Sequence, residues 1–304
     1  MEENLENIDK NKTIKHIVLS GGGVLGFSYY GLLKEANLNN MWSFENIETI
    51  YGTSVGSMLC VILCLKYDWE TIDDYLIKRP WQHVYKLNLY SILDAFQKRG
   101  IFDIKVVEET FLPLFKGKDM SIDVTMKEFF DITQIELHIF STELTSYELV
   151  DISYKTHPDW KVVEAVYSSS TLPMAFAPYI KDNKCYCDGG FLANYPLDHC
   201  IKNGANPEEI IGLNKICVDG NNNTINEKST LFDYIMLLIN NTISFILKRS
   251  ERCKIKHEYE MTGEPASIFS IIKTANESEE RERLIEDGRE FYRRGDLGPP
   301  LPPP

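Results

Sequence analysis

Short apolar segments alternate with helical patterns in the first part of the chain. Residues 14–19 and 47–51 are apolar runs of strand length, and a turn that contains glycine follows each of them. Apolar residues then recur at helical spacing over 27–37, while 55–65 is apolar almost all round, which is typical of a buried helix. Two successive strand–turn–helix units predict an α/β fold, a three-layer sandwich in which helices flank a mostly parallel central sheet.

The rest of the pattern predicts further elements of the same kind. Residues 68–130 are mostly amphipathic with helical spacing, and 162–169 predicts another helix. The further predicted strands cover 137–142, 147–153, 184–187 and 210–218.

The composition changes along the chain and suggests how it is organised. The first residues are polar and acidic, without the basic and apolar segments of a secretory signal, and the last residues are rich in proline. We therefore expect four parts: a flexible leader over 1–13, a main domain over 14–218, a helical extension over 219–294 that packs on this domain, and a proline-rich tail over 295–304.

Residues 231–247 are strongly apolar, but Asp233 and other polar residues interrupt them, so we expect no transmembrane helix. The basic residues that follow are Lys248, Arg249, Arg252, Lys254 and Lys256. An apolar helix beside a basic cluster is typical of a segment that makes peripheral contact with a membrane. The alternative is a core helix with a charged, solvated end, and we favour this second interpretation.

The overall composition narrows the class of protein. Hydrophobic residues make up 43% and charged residues 25%, which excludes a largely disordered chain. The formal net charge of −13 argues against nucleic acid as a partner. Seven cysteines without framework spacing indicate reduced thiols and a cytoplasmic protein. Cys185, Cys187, His199 and Cys200 lack the paired spacing of a zinc site, so we expect no metal.

The segment 51–57 carries the most informative motif, because Ser54 lies between Gly52 and Gly56 after a predicted strand and before a predicted helix. This is the nucleophile-elbow arrangement, in which a sharp turn exposes the serine Oγ and larger side chains at the glycines would collide with neighbouring elements. The helix N-terminus also stabilises negative charge that develops at the turn. We therefore predict that Ser54 is a nucleophile.

A second motif lies between the first predicted strand and helix, where the glycines are Gly21, Gly22, Gly23 and Gly26. The spacing matches the Gly-x-Gly-x-x-Gly dinucleotide fingerprint, but the acidic residue that should end the next strand is missing. Adjacent glycine N–H groups also suit an oxyanion hole. We rank the oxyanion hole first, a simple tight turn second and a nucleotide site third.

A third motif begins at Asp188, which ends a predicted strand and is followed by Gly189 and Gly190. Such a turn lets a carboxylate face a site without crowding. Since aspartate and glycine are also the ordinary residues of turns, this segment identifies no site by itself.

Together the three motifs resemble the patatin-like phospholipase family. The marks of that family are a loop of the form Gly-Gly-Gly-x-Arg/Lys-Gly, a Gly-x-Ser-x-Gly elbow and a later Asp-Gly-Gly/Ala, and they occur here in the same order. The segment 168–178 also looks like the proline-rich approach to the aspartate in that family. The resemblance covers about 14–218, and Leu25 occupies the position where the family usually has Arg or Lys.

The resemblance implies a patatin-like catalytic domain over 14–218 with a serine–aspartate dyad and no cofactor. Ser54 would attack an ester carbonyl of a phospholipid or another acyl-lipid, and Asp188 would accept its proton. The implied oxyanion-hole residues are Gly21, Gly22, Gly23 and Val55. The implied supporting glycines are Gly26, Gly52, Gly56, Gly189 and Gly190. The expected enzyme is a serine hydrolase of lipids, similar to a phospholipase A.

Two alternatives remain at this point. One is an α/β-hydrolase type of esterase with a Ser-Asp-His triad, for which His199 and His257 follow Asp188 in the required chain order. His199 lies in a predicted helix and His257 in a charged run, so we favour the dyad. The other is a catalytically weak protein that binds lipid or a partner on a hydrolase scaffold, an alternative prompted by Leu25.

Overall fold

The computed structural model describes residues 13–87, 89–216, 225–227, 229–247, 253–263 and 267–295. Its strands are β1 (His16–Leu19), β2 (Thr49–Thr53), β3 (Gly100–Phe102), β4 (Glu136–Glu143), β5 (Glu148–Ile152), β6 (Met174–Phe176), β7 (Tyr179–Lys181), β8 (Lys184–Asp188), β9 (Ile210–Ile216) and β10 (His257–Thr262). Its α-helices are α1 (Gly26–Leu38), α2 (Val55–Cys64), α3 (Trp69–Lys78), α4 (Leu89–Lys98), α5 (Lys105–Lys116), α6 (Met126–Thr133), α7 (Val162–Ser169), α8 (Gly190–Ala193), α9 (Leu197–Lys202), α10 (Leu231–Leu247), α11 (Ile268–Asn276) and α12 (Ser278–Arg293).

Within the described residues, the main sheet has the strand order β10-β9-β1-β2-β4-β8-β7, and β5 pairs with β4. The five strands from β10 to β4 are parallel, whereas β5 and β8 run antiparallel to β4. Alternate residues of a strand face opposite sides, so Ile17 and Ile50 belong to one core while Val18 and Tyr51 belong to another beneath α9. This confirms the predicted three-layer α/β fold with a mostly parallel sheet.

The strand register brings the three motifs to one edge of the sheet. β1 and β2 are adjacent and parallel, so the glycine loop after β1 lies beside the elbow after β2. On the other side of β2, Thr53 lies opposite Phe140 of β4, and the next residue, Ser141, pairs with Asp188 of β8. β4 therefore places Asp188 next to Ser54, the residue that follows Thr53.

The part of the chain after residue 218 differs from the sequence prediction, which expected helices alone over 219–294. Residues 257–262 form β10, which pairs with β9 and extends the main sheet. The strand lies at the sheet edge and buries only Met261 among its residues, so its apolar signal in the sequence is weak.

Helix α12 packs along α1. A Cβ at Gly288 would lie 1.9 Å from the Ser28 carbonyl oxygen, and a Cβ at Gly31 would lie 1.9 Å from the Ile285 carbonyl oxygen. Glycine at both positions therefore permits the two helix backbones to approach closely. The carboxylate of Glu35 accepts hydrogen bonds at 2.9 Å from both Arg289 and Arg293, which reinforces the contact.

Residues 231–247 are helical, as the sequence predicts, but the core-helix interpretation is wrong. Where the structure describes the side chains of α10, only Met236 is buried, whereas Tyr234, Leu238 and Phe245 are more than half exposed. No helix in the described part of the chain is long and apolar enough to cross a membrane. Lys248, Arg249 and Arg252 of the predicted basic cluster, most of the predicted leader and most of the proline-rich tail lie outside the described residues.

Candidate active site

Ser54 lies in a sharp turn between β2 and α2. Its backbone angles are φ 55° and ψ −128°, and this left-handed φ is strained for a residue with a side chain. A Cβ at Gly56 would lie 2.5 Å from the Leu19 carbonyl oxygen, and one at Gly52 would lie 2.5 Å from the Cys60 Sγ. A side chain at either glycine would therefore clash with a neighbouring element, and the turn has the geometry of a nucleophile elbow.

Asp188 lies at the end of β8 and is 6% exposed. Its Oδ1 accepts a 2.7 Å hydrogen bond from the Gly190 N–H, and the Ser54 side chain lies close enough to its carboxyl to lower the pKa of Asp188. Burial raises the pKa of Asp188 to about 6, against the lowering effects of the Ser54 side chain and the Gly190 N–H. The structure thus brings the predicted serine and aspartate side chains close together.

The two glycines after Asp188 allow this turn to fit against its neighbours. A Cβ at Gly189 would lie 2.1 Å from the Phe140 carbonyl oxygen. A Cβ at Gly190 would lie 2.9 Å from the Asp188 Oδ1, and hence would displace the carboxylate.

The glycine loop after β1 passes directly over the elbow. A Cβ at Gly21 would lie 3.2 Å from the Ser54 Cβ, and one at Gly26 would lie 2.4 Å from the Val55 Cγ2. Gly23 has a φ of 60°, a backbone conformation that favours glycine. In the described part of the chain, no hydrogen-bond acceptor faces the N–H groups of Gly22, Gly23 and Val55.

Gly21 does not fit the role predicted for it. Its N–H donates a 3.0 Å hydrogen bond to the carbonyl oxygen of Asn194 and is therefore unavailable to a substrate oxygen. The Asn194 Nδ2 in turn donates to the Gly21 carbonyl oxygen at 3.2 Å. Gly21 thus attaches the loop to the segment that follows Asp188, and it is not an oxyanion donor.

Leu25 lies in the short 3-10 turn that precedes α1, and its side chain is buried. A Cβ at Gly263 would lie 3.1 Å from the Leu25 Cδ2, so this leucine packs between the glycine loop and the residue that follows β10. The position where the pattern of the resembled family has Arg or Lys is therefore filled by an apolar contact.

Neither candidate histidine approaches the pair. His257 lies on β10, in register with Ile50 of β2 and separated from it by two intervening strands, which is roughly 14 Å. The ring of His199 packs on Phe140, with the centroids 5.0 Å apart. Burial lowers the pKa of His199, and Asp188 is not among the charged groups that act on it.

The described residues contain no cluster of three or more histidine, cysteine or acidic side chains arranged to bind a metal ion. Burial raises the pKa of Cys187, and of Cys200 to about 12, so these thiols are neutral at ordinary pH.

Two further residues contact the site and were not predicted from the sequence. Asn194 contacts the glycine loop as described above, and Ser169 accepts a 2.9 Å hydrogen bond from the Ser54 N–H at its hydroxyl. Asn194 lies in the segment that begins at Asp188, and Ser169 lies in the 168–178 segment. Their closeness in the sequence to motifs already recognised is the feature from which their place at the site could have been predicted.

Comparisons with known proteins place the chain in a family. A family model described as patatin-like phospholipase matches residues 17–201, a range that includes the glycine loop, Ser54 and Asp188. A probable lipid hydrolase of Invertebrate iridescent virus 6 is 28% identical over 64% of this chain and 65% of its own length. An uncharacterized protein of Acanthamoeba polyphaga mimivirus is 28% identical over 65% of each chain. The chain thus spans about two thirds of the length of these relatives.

A search of solved structures found the same architecture. The crystal structure of VipD from Legionella pneumophila superposes with a TM-score of 0.55 at 16% sequence identity, over 93% of this chain and 66% of that one. At this level of identity the likeness concerns the fold alone.

Proposed function

Because this chain belongs to the patatin-like phospholipase family, we propose that it is a lipid acyl hydrolase that cleaves carboxylic ester bonds of phospholipids or related acyl-lipids. The observation that carries the proposal is the position of the Ser54 side chain beside the buried carboxyl of Asp188, below a loop with unpaired N–H groups. The lipid-hydrolase description of the iridescent virus relative supports the same class of substrate.

In the first step, the Ser54 Oγ attacks the ester carbonyl carbon while its proton passes to Asp188. An ordinary aspartate, with a pKa near 3.9, is a weak base for an alcohol. Burial raises the pKa of Asp188 to about 6, so the group is a stronger base that is still ionised at neutral pH.

The carbonyl oxygen becomes an oxyanion in the tetrahedral intermediate. The N–H groups of Gly22, Gly23 and Val55 are the donors that would bind it, and Val55 also begins α2, whose N-terminal dipole favours negative charge. Collapse of the intermediate breaks the ester bond, and the alcohol leaves with the proton from Asp188. The acyl group remains on Ser54 until water, deprotonated by Asp188, attacks it and releases the fatty acid.

The pH dependence tests the role of the aspartate. Since the ionised carboxylate is the active form, kcat/KM for a soluble short-chain ester is expected to fall about tenfold per pH unit below a midpoint near the Asp188 pKa of about 6. The measurement is a pH profile of ester hydrolysis between about pH 4 and 8. The midpoint should persist in His199→Ala, and a profile without an acid limb would contradict Asp188 as the base.

We further propose that α10 makes the peripheral membrane contact of this enzyme. Tyr234, Leu238 and Phe245 recur at helical spacing on its exposed side, and α10 packs against α8, which begins two residues after Asp188. An apolar stripe beside the site would bring the ester bond of a membrane lipid to Ser54. The basic residues that follow α10 in the sequence favour an anionic surface.

A charge on this stripe is expected to weaken membrane binding. Leu238→Glu should reduce binding to vesicles of phosphatidylcholine and phosphatidylserine on the order of tenfold. The reason is that a leucine side chain contributes about 1.5–3 kcal/mol to binding when it moves from water into the membrane. Cosedimentation measures the binding, and soluble-ester hydrolysis should stay within about twofold of wild type. The matched control is Leu38→Glu at the end of α1, since the two leucines are 53% and 57% exposed. Equal loss in both variants would contradict a specific role of α10, and vesicle binding by wild type without ester cleavage would favour the lipid-binding alternative.

A further inference from the structure

The hydroxyl of Ser169 bridges two strands at the point where their pairing ends. The register of β2 with β4 ends at Thr53 opposite Phe140. One residue further, the Ser54 N–H donates a 2.9 Å hydrogen bond to the Ser169 Oγ, and this hydroxyl donates at 2.5 Å to the Phe140 carbonyl oxygen. The side chain of a serine on α7 thus connects the two strands across the start of the elbow.

The same segment also contacts the turn that carries the aspartate. The Gly189 N–H donates to the Ser169 carbonyl oxygen and the Asp188 N–H donates to the Thr171 carbonyl oxygen, each at 3.3 Å. Ser169 is fully buried, so water does not replace these bonds. Ser169 therefore touches the backbone of Ser54 with its side chain and the backbone after Asp188 with its own carbonyl.

We propose that Ser169 is a positioning residue for the reaction, because its hydroxyl keeps the Ser54 backbone in the strained elbow conformation and so keeps the Ser54 Oγ against the Asp188 carboxyl. This inference rests on the proposed function and adds a residue to its machinery. Without the Ser169 hydroxyl, the Ser54 N–H would lack its acceptor and the Phe140 carbonyl oxygen would lack this donor. The proton of the Ser169 hydroxyl is directed at Phe140, so Ser169 is not a rival nucleophile.

The ionisation of Asp188 reports on this arrangement. Burial raises the pKa of Asp188, while the nearby Ser54 side chain and the Gly190 N–H lower it. The neighbouring titratable group is the Cys187 thiol, which burial keeps neutral. If the Ser54 Oγ withdraws, one lowering contribution disappears and the pKa of Asp188 increases.

The test compares two Ser169 variants with a matched neighbour. Ser169→Ala removes the hydroxyl. Ser169→Cys nearly preserves the side-chain volume but carries a much weaker hydrogen-bonding group, so it serves as the second variant if Ser169→Ala fails to fold. The control is Ser168→Ala, because Ser168 is equally buried in α7 but donates at 2.9 Å to Ala165 of its own helix. The pKa of Asp188 is measured by ¹³C NMR titration of aspartate-labelled protein, with the resonance assigned by its absence in Asp188→Asn. The kcat and KM are measured with a soluble short-chain ester.

We expect both Ser169 variants to raise the pKa of Asp188 by about half a unit or more and to lower kcat by about tenfold or more, with KM within about threefold. Ser168→Ala should match wild type in both measurements. The inference is overturned if the Ser169 variants leave the pKa unchanged and kcat within about twofold, or if Ser168→Ala has the same effects. If wild type cleaves no ester, the proposed function fails, and the NMR titration alone still decides whether Ser169 positions Ser54.

Discussion

Ser54→Ala and Asp188→Asn are each expected to lower kcat for ester hydrolysis by about 10³-fold or more. The first variant removes the nucleophile, and the second leaves an amide that cannot accept the serine proton. Because the two side chains lie close together and the proposed mechanism uses both in one step, the double variant should lose little more than either single variant. The measurements are steady-state hydrolysis of a short-chain ester and covalent labelling by a fluorophosphonate, which requires an activated serine.

The controls for this prediction separate the dyad from a triad. His199→Ala and His257→Ala should retain hydrolysis within about threefold, because neither ring contacts the pair. Loss of activity in either histidine variant would favour the Ser-Asp-His alternative. Folded wild-type protein in which fluorophosphonate does not label Ser54 would contradict a serine mechanism altogether.

Gly288→Ala is expected to destabilise the protein by about 3 kcal/mol, although helix propensity alone would favour alanine over glycine by about 1 kcal/mol. The reason is the contact between α12 and α1, where the new methyl group would lie 1.9 Å from the Ser28 carbonyl oxygen. Because this oxygen belongs to the backbone, no side-chain rotation relieves the clash. For a chain of 304 residues, the thermal midpoint should fall by roughly 5 °C in a calorimetric or circular-dichroism melt.

The matched control lies on the same helix. Glu282 is exposed, so Glu282→Ala should shift the midpoint by no more than about 1–2 °C. A Gly288→Ala protein as stable as wild type, or more stable, would show that helix propensity outweighs packing and that α12 does not dock on α1 as the structure has it.

Much of the fold was predictable because its central strands are short, apolar and followed by glycine. The run 47–51 predicted a strand that the structure places at Thr49–Thr53, and 55–65 predicted the helix now bounded by Val55–Cys64. β10 was missed because an edge strand with one buried residue has no continuous apolar run. Helix α10 was predicted, but its environment was not, since an apolar sequence does not state which surface will cover it.

The candidate site was predictable to a similar degree. Ser54 and the glycines beside it follow from local geometry, because the sharp turn and the close approach of Leu19 admit no larger side chain at position 56. Which N–H groups of the glycine loop are free was harder to predict. A row of glycines gives several candidate N–H groups, but whether each one is available depends on a distant acceptor, here the Asn194 carbonyl oxygen that takes the Gly21 N–H.

Backbone sterics and hydrophobic periodicity depend on residues that are neighbours in the sequence. The sequence by itself therefore determined the parallel α/β architecture, the elbow at Ser54 and the turn at Asp188. Contacts between residues far apart in the chain depend on strand order and register, which no local pattern specifies. Tertiary structure alone therefore decided that β4 brings Asp188 to Ser54, that Asn194 occupies the Gly21 N–H, and that the Ser169 hydroxyl closes the gap between β2 and β4. The raised pKa of Asp188 has the same origin, because burial by distant segments desolvates the carboxylate.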